Sequence, residues 1–421
     1  MKSVPLRNFV NFIKHKRKRM EFYIDFDRAL EIISLQEFLL PSELVSLFDS
    51  YGRVLRETLI ADSDDPPAPV SAMDGYGVRK EDIRSIPSKL KVVGEVPAGK
   101  IPNIKVNEGE AVKLFTGSLI PEGVDTVVPV EEIEGSGEFV VIKKSYPQGQ
   151  NVRLRGENYR AGDILVKEGA ILRAPEIGIA ASVGKPYLRV SSKPKVGIIT
   201  TGNEILEPWE SLNSPSQIRN TNAYTLYSLV REAGGEPVYL GTLKDSKEET
   251  LKRLEEGIEI CDVLITTGGV SMGDYDFVKQ VVKDLGVEVL FYKVRVKPGK
   301  PVLFGRRGNK FFFGLPGFPV STVVSFKLFV FPLLRKIQGA KELFKQRIKA
   351  ELLTDFKRRK AERREFVRAE LFNKDGKFSV KPLRKQGSGV LTALVGSKVL
   401  MVVPEGVKEI KAGSQVEVVL I

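Results

Sequence analysis

Histidine, cysteine and tryptophan each occur only once in this chain of 421 residues. The single cysteine, Cys261, cannot form a disulfide within the chain, which favours a reducing compartment, and its position after an apolar helix end predicts a buried thiol. The only histidine, His15, lies in a basic N-terminal stretch, so a Ser-His-Asp triad or a histidine-rich zinc site is excluded. Acid–base or metal chemistry must therefore use Asp, Glu, Lys and backbone groups.

Long apolar runs are also lacking. The N-terminus has no apolar core of the length that a secretory signal needs, and the most apolar stretch, residues 318–334, contains Lys327 and Pro332 and falls short of a bilayer span. That stretch predicts a helix buried in a large core. We expect the chain to be cytoplasmic.

The net charge of +13 is concentrated in part at the N-terminus, where residues 1–20 contain seven Lys or Arg and no acid. One interpretation is a tail that binds RNA or an anionic surface. The other is an extension without fixed structure, or a true start at Met20. The chain as a whole has an apolar fraction of 42% and is too long for one hydrophobic core. These values predict a globular protein of two to four domains.

The changing pattern along the chain predicts a multidomain α/β plus β protein. Alternating strands and helices, such as a strand at 263–267 and a helix at 222–233, predict a three-layer α/β domain with a parallel sheet. Residues 25–61 are expected to be helical, with a second segment beginning near Ser42. The predicted division is a basic extension (1–24), a discontinuous N-terminal or dimerisation domain (25–87 plus 151–194), an inserted β domain (88–150), the α/β domain (195–338) and a C-terminal β-barrel-like domain (339–421).

Three glycine-rich loops follow strands of the predicted α/β domain: residues 200–204 (TTGNE), 266–276 (TTGGVSMGDYD) and 314–319 (GLPGFP). Glycine allows backbone N–H groups to approach an anion, hydroxyls add donors, and a following helix N-terminus adds a favourable dipole. Each loop alone could be an ordinary turn. Together, at the carboxyl ends of strands in one sheet, they predict a phosphate or nucleotide pocket.

The extended segment 293–301 carries cations at alternate positions, Lys293, Arg295 and Lys297, which alternation places on one side of a strand. Three cations on one face predict an anion or an acid between them, or else solvated edge charges. Nearby carboxylates at 245, 274 and 276 could hold Mg²⁺ because hard cations take carboxylate oxygens. Glu204 could join them or act as a base.

A separate proline-stiffened loop, residues 66–76, contains Ser71 and Asp74 and suits either a binding surface or a structural crossover. Arg153 and Arg155, in a turn that follows later, offer guanidinium groups for an oxyanion. We expect this turn to be the partner of the loop.

These motifs resemble the molybdopterin molybdenumtransferase family, MoeA in bacteria and the gephyrin E domain in animals, from about residue 25 to the end. The resemblance is carried, in order, by SAMDGYG (71–77), FTGSLIPEGVDTVV (115–128), RLRGEN (153–158), TTGNEI (200–205), RNTN (219–222), TTGGVSMGDYD (266–276), KPGKP (297–301) and GLPGFP (314–319). It implies a four-domain subunit with a molybdopterin-binding α/β domain and a homodimer. The implied reaction inserts molybdenum or tungsten, from molybdate or tungstate, into adenylylated molybdopterin with Mg²⁺ and releases AMP.

The site residues that this resemblance and the local reasoning imply fall into three groups. Catalytic roles are expected for Asp74, Glu204, Asp245, Asp276, Lys293 and Lys297, and metal binding for Glu204, Asp245 and Asp276. Substrate binding is expected for Ser71, Thr116, Arg153, Arg155, Thr201, Gly202, Thr267, Gly268, Gly269, Ser271, Gly273, Arg295, Lys300, Pro316, Gly317 and Pro319. Asp74 and Ser71 are expected to come from the other subunit.

The chain departs from the family pattern at three positions. Asn158 and Asn203 stand where the family commonly has Asp, and Phe318 stands where it commonly has Asn. These changes fit a paralogue or a preference for tungstate. Two other functions stay open: a molybdopterin adenylyltransferase acting one step earlier, and a non-catalytic, gephyrin-like scaffold. The expected partners are small-molecule substrates, a second copy and other cofactor-assembly proteins, with no membrane and no nucleic acid.

Overall fold

The computed structural model describes residues 20–135, 137–244, 247–268, 282, 284–344 and 347–421. Its largest sheet joins strands, in spatial order, Glu21–Ile24, Glu288–Val294, Leu303–Arg307, Lys310–Leu315, Val263–Thr267, Lys195–Thr201 and Glu236–Leu243. Helices Phe26–Ser34 and Asn222–Glu232 pack on one face, and helix Lys247–Ile260 packs on the other. The expected three-layer α/β domain is therefore confirmed.

This sheet is mixed rather than wholly parallel. Leu303–Arg307 runs antiparallel to both of its neighbours, and the other described strands share one direction. The short turn at Gly308 allows a hairpin between Leu303–Arg307 and Lys310–Leu315, whereas a parallel pair needs a crossover connection. The predicted parallel sheet therefore contains one antiparallel strand, Leu303–Arg307.

The apolar stretch from residue 318 forms a continuous buried rod, as its composition predicted. It begins as an α-helix at Pro319–Ser325, passes through a π-helical segment at Phe326–Val330 and ends as an α-helix at Phe331–Ile337. No described helix combines the length and the apolarity needed to cross a bilayer. Cys261 is buried too, and burial raises the pKa of its thiol to about 11.

The N-terminal part contains a second sheet and several short strand pairs. The sheet has the order Thr126–Pro129, Gly75–Val78, Glu110–Leu114, Ser88–Val96, Phe139–Ile142 and Ile133–Glu134. The pairs are Val152–Arg153 with Val70–Ser71, Ile164–Val166 with Leu59–Ile60, and Tyr187–Ser191 with Ser42–Ser46. Helix Ala174–Ser182 and the 3₁₀ turns Leu47–Asp49, Lys80–Ile83 and Val130–Glu132 complete this part.

Residues 20–46 differ from the sequence-based expectation. Ser42–Ser46 is a strand rather than the beginning of a helix, because Pro41 interrupts the helical pattern and the segment pairs antiparallel with Tyr187–Ser191. Glu21–Ile24, assigned to the extension, is an edge strand of the α/β sheet, and the helix after it packs in the same core. Residues 1–19 of the predicted extension lie outside the described residues.

The C-terminal part is a closed barrel, as expected. Its strands Arg364–Lys374, Lys377–Pro382, Arg347–Leu352, Gln415–Leu420 and Val399–Val403 form a ring, since the first also pairs with the last. Phe356–Lys357 pairs with Glu409–Ile410, and a short helix covers Thr392–Val395. Val296–Lys297, which follows the α/β sheet, adds to the barrel beside Arg364 and Glu365. This strand joins the two domains.

Candidate active site

A cavity of about 510 Å³ opens at the carboxyl ends of the parallel strands. The lining comes from the three glycine-rich loops and from the segment that begins helix Asn222–Glu232. It comprises Thr200, Thr201, Gly202, Glu204, Ile205, Ile218, Arg219, Asn220, Thr221, Asn222, Thr267, Gly268, Pro301, Pro316, Gly317, Phe318 and Pro319. The structure thus brings together the described parts of all three loops.

Glycine is required at one close contact between these loops. Gly268 has a φ of +91°, and a Cβ there would lie 2.6 Å from the carbonyl oxygen of Thr201. Only glycine accommodates both this backbone conformation and this contact, so Gly268 lets the second loop approach the first. Within the first loop, Gly202 has a φ of +140°, which also favours glycine, and the carboxylate of Glu204 folds over it.

The amide of Asn222 connects the loops to the following helix. Its Nδ2 donates to Thr267 Oγ1 at 2.9 Å and to the carbonyl of Gly317 at 2.7 Å. Thr267 Oγ1 in turn donates to the carbonyl of Pro316 at 3.2 Å. The side chain of Asn222 therefore holds the second and third loops together.

A polar network lies behind the first loop. Asn220 Nδ2 is 3.0 Å from Thr200 Oγ1 and 3.1 Å from Glu207 Oε1, and Tyr224 and Tyr239 both donate to the Glu207 carboxylate. Burial raises the pKa of Glu207, but the donors around it outweigh this effect and hold the pKa below its usual value. The same contacts and burial raise the pKa of Tyr224 to about 12. This arrangement fixes the loop that carries Glu204.

The described lining is suited to an anionic, hydroxyl-bearing ligand. It offers loop backbone, threonine hydroxyls and asparagine amides, groups that bind phosphate and ribose. Its one described cation, Arg219, donates to the carbonyl of Glu210 at 2.8 Å and to that of Pro208. It therefore holds the segment between the paired strands Ile205–Leu206 and Ile218–Arg219. Among the described residues no cluster of three His, Cys, Asp or Glu could hold a metal ion.

The cations predicted to converge on an anion do not line this cavity, and two of them have acidic partners. Arg295 Nη2 lies 2.9 Å from Asp25 Oδ1, and Lys297 Nζ lies 2.7 Å from Glu365 Oε1. Lys293 Nζ lies 4.9 Å from the ring centroid of Tyr292. Lys300 Nζ packs over another aromatic ring, that of Tyr23. Burial alternates as expected, with Val294 and Val296 buried, but the predicted single strand was wrong: Glu288–Val294 belongs to the α/β sheet, Val296–Lys297 pairs with the barrel, and Lys293 has a φ of +62°.

The loop at 66–76 and the turn at 153–158 lie together, as the sequence suggested, but outside the cavity of this chain. Val70–Ser71 pairs antiparallel with Val152–Arg153. Asp74 Oδ1 accepts hydrogen bonds from both the backbone N and the Oγ1 of Thr116, at 2.7 and 2.8 Å, which lower the pKa of this carboxyl. Ser71 is buried and donates to the Met73 carbonyl, so it shapes the loop.

The two arginines of the turn are paired with carboxylates. Arg153 Nε donates to Glu157 at 3.0 Å, and Arg155 Nε donates to Asp64 at 2.5 Å. Asn158 Nδ2 donates to Asp65 at 2.7 Å, so the amide that replaces a carboxylate here supplies a donor. These hydrogen bonds hold the turn at 153–158 beside the residues that precede the loop at 66–76.

Six sequence-predicted site residues lie outside the described residues: Asp245, Gly269, Ser271, Gly273, Asp274 and Asp276. Conversely, the structure adds cavity residues that the site prediction omitted, chiefly Arg219, Asn220 and Asn222. The signal for them was the run RNTN (219–222) immediately before a predicted helix.

Comparisons with known proteins agree with this architecture. Family models match residues 24–184 (MoeA N-terminal region, domains I and II), 197–336 (probable molybdopterin binding domain) and 349–421 (MoeA C-terminal region, domain IV). A molybdopterin molybdenumtransferase of Staphylococcus aureus strain Mu50 is 32% identical over 401 residues, which make up 94% of this chain and 95% of that one. One of Staphylococcus epidermidis strain RP62A is 31% identical over the same length.

Among solved structures, the molybdopterin biosynthesis moeA protein of Pyrococcus horikoshii OT3 is similar to this chain with a TM-score of 0.79. The two are 31% identical, and the match covers 95% of this chain and all of the other. The chain therefore belongs to the MoeA family of molybdopterin molybdenumtransferases.

Proposed function

We propose that this chain inserts molybdenum or tungsten, supplied as molybdate or tungstate, into adenylylated molybdopterin and releases AMP. The observation that carries the proposal is the cavity at the carboxyl ends of the sheet, lined by loop backbone, hydroxyls and amides. It lies in the region that matches the probable molybdopterin binding domain. The curated relatives named above are molybdopterin molybdenumtransferases, enzymes of molybdenum-cofactor biosynthesis.

In the proposed reaction the chain binds the phosphoanhydride group of adenylylated molybdopterin, and water hydrolyses it. Backbone N–H groups and hydroxyls of the loops hold the phosphate oxygens and stabilise the negative charge that develops on them during the reaction. These donors belong to Thr201, Gly202, Thr267, Gly268 and Gly317. A water oxygen bonds to one phosphorus and the bond to the other phosphate breaks, which gives AMP and molybdopterin with its own phosphate. A carboxylate such as Glu204 takes the water proton. The two dithiolene sulfurs become ligands of the incoming metal, and one oxygen of the molybdate or tungstate leaves as water with the two thiol protons.

A divalent cation, taken to be Mg²⁺, fits the donor chemistry at this site in part. Glu204 lies at the cavity, and Asp245 and Asp276, outside the described residues, are the other proposed ligands. Hard cations take such carboxylate oxygens. The ion would supply charge neutralisation at the phosphates.

The remaining predicted residues are assigned to the rim of the cleft and to a second copy. Lys293, Arg295, Lys297 and Lys300 would attract and position the oxyanion, while Pro316 and Pro319 shape the third loop. Asp74 and Ser71, with Thr116, Arg153 and Arg155, would come from the partner in a homodimer. We place the reaction in the cytoplasm because dithiolene sulfurs need reducing conditions.

The proposal is tested by giving the purified chain two alternative substrates. With adenylylated molybdopterin, Mg²⁺ and molybdate we expect AMP and a metal-bearing pterin. With molybdopterin and ATP alone we expect no adenylylation. The opposite pattern would make the chain an adenylyltransferase, and inactivity with both would favour a scaffold.

A further inference from the structure

The aromatic ring of Phe318 stands exposed at the cavity. The side chain is 65% exposed, whereas residues 320–325, which follow it in the helix, are buried. An exposed phenylalanine ring forgoes the free energy that burial would give. Single exposed apolar residues are common, so position and support must decide whether this ring has a role.

The backbone beneath the ring is fixed. Phe318 precedes Pro319 and has φ −67° and ψ 128°, the extended conformation that a following proline favours. Its carbonyl accepts hydrogen bonds from the backbone N of Thr322 at 3.0 Å and from Thr322 Oγ1 at 3.1 Å. The ring is therefore attached to a rigid helix start and not to a loose loop.

One edge of the ring faces Gly389 of the C-terminal domain. A Cβ on Gly389 would lie 3.6 Å from Phe318 Cδ1 and 3.8 Å from Cε1, which is van der Waals distance. The turn that contains Gly389 also contributes the Ser388 carbonyl, which accepts from the backbone N of Val320. The ring is thus positioned between two domains while most of its surface stays open.

The ring is the one aromatic group in the described lining, beside hydroxyls, amides and backbone that suit phosphate and ribose. A ligand that satisfies both parts carries an anion and a planar ring. Bases stack on exposed aromatic side chains whatever their sequence, since every base has a π-face. Stacking on a preformed platform also loses little conformational freedom.

We propose that Phe318 is a stacking platform for a planar heteroaromatic ring of the substrate, either its purine or its pterin. This inference rests on the proposed function for the identity of the ligand. The ring determines affinity for the heterocycle, and the glycine-rich loops determine affinity for the phosphate. The two contributions can be separated by ligands that contain only one of them.

The test is calorimetric titration of the full chain with AMP, with pterin and with ribose 5-phosphate, which lacks a ring. Phe318→Leu keeps an apolar side chain without a π-face, and Phe318→Tyr keeps the π-face. The matched control is Phe48→Leu, because Phe48 is 99% exposed and does not line the cavity. Stacking predicts that Phe318→Leu weakens one ring-containing ligand by about 5- to 150-fold.

Ribose 5-phosphate should bind all variants alike, and Phe318→Tyr and Phe48→Leu should bind AMP and pterin like the unchanged chain. Selective loss of AMP binding identifies the purine, and selective loss of pterin binding identifies the pterin. The platform is disproved if Phe318→Leu changes the affinity for both AMP and pterin by less than twofold, or if it weakens ribose 5-phosphate binding equally. It is also disproved if neither AMP nor pterin binds the unchanged chain at millimolar concentration. Ring-dependent binding in a chain that releases no AMP from adenylylated molybdopterin would support the platform and reject the proposed reaction.

Discussion

At the scale of single residues, Asn222 holds two substrate-facing loops together through one amide. Replacing it with alanine removes the hydrogen bonds to Thr267 Oγ1 and the Gly317 carbonyl, each worth about 0.5–1.5 kcal/mol. We expect Asn222→Ala to raise the KM for adenylylated molybdopterin about tenfold. Asn213→Ala, an exposed asparagine that does not line the cavity, is the control and should leave the KM unchanged. An unchanged KM in Asn222→Ala would show that the loops keep their positions without this amide.

Glu207 provides a prediction about pH. Its pKa in the folded protein lies below the usual 4.5, so its ionised form stabilises the fold above pH 4.5 and that contribution is lost as the pH falls through the lower, folded value. We expect Glu207→Gln to lower the melting temperature at pH 7, with a difference that shrinks as the pH falls toward 3. Thermal unfolding across this range measures it.

The control is Glu108→Gln, an exposed acid outside this network, and the Glu207→Gln difference in melting temperature is compared with that of this variant at each pH. A Glu207→Gln difference that is constant from pH 7 to 3 would mean that the hydrogen-bond network depends on shape and not on the charge of the carboxylate.

Site residues could be predicted from the sequence where the local backbone conformation requires a particular residue type. They were harder to predict where their role depends on contacts with residues far away in the chain. Thr201, Gly202 and Gly268 stood out because glycine and threonine after a strand indicate an anion loop. Asn222 did not, because its partners lie 45 and 95 residues away in the chain. A single sequence does not show which side-chain amide will form hydrogen bonds with which loop.

At the scale of elements, the close contact between the first and second loops depends on Gly268. Alanine there would place a Cβ 2.6 Å from the Thr201 carbonyl oxygen in addition to a positive φ, which by itself costs about 1–3 kcal/mol. Gly241 has a similar φ of +100° with nothing within 4 Å, so Gly241→Ala isolates the backbone strain. We expect Gly268→Ala to weaken AMP binding and Gly241→Ala to leave it intact, as measured by calorimetry. Equal AMP affinity in the two variants would argue against the loop contact as a determinant of binding.

The strand Val296–Lys297 links the α/β domain to the barrel through the pair of Lys297 with Glu365, which is 5% exposed. Glu365→Gln removes the charge that holds this lysine. Glu365 also lies 3.4 Å from Arg358, and both of these side chains are buried, so the loss of stability should approach the ~3–5 kcal/mol typical of a buried pair. We expect kcat for AMP release to fall at least about tenfold, since preorganised charge is lost.

The control for Glu365 is Glu362→Gln, an exposed acid in the same region of the chain. A purely structural role for Glu365 would lower the melting temperature while leaving kcat and KM unchanged, and that result would contradict its role in positioning Lys297.

Elements were predictable where their pattern is local. The strand at 263–267 and the helix that begins at 222 are where their apolar periodicity indicated. The strand Ser42–Ser46 and the antiparallel Leu303–Arg307 depend on partners elsewhere in the chain, Tyr187–Ser191 and Lys310–Leu315 among them. Local pattern carries no information on which edge of a sheet a strand will join.

At the scale of the whole molecule, the site is connected to the α/β domain and to the C-terminal barrel. The α/β sheet supplies the loops, the barrel supports Phe318 and Lys297, and the strand Glu21–Ile24 with its Asp25 neutralises Arg295. The division of the chain into domains stays a prediction, as does the contribution of Asp74 by a second copy. The first follows from the changing pattern along the chain and the second from the family resemblance, whereas the cavity follows from the strands and loops.

The most direct test of the central claim is the stoichiometry of AMP release and metal uptake in one reaction. The purified chain is incubated with adenylylated molybdopterin, Mg²⁺ and either molybdate or tungstate, and both AMP and pterin-bound metal are measured over time. The account predicts about one metal retained for each AMP released, with at least one of the two oxyanions. No AMP release with either oxyanion, or AMP release without metal retained, would contradict it.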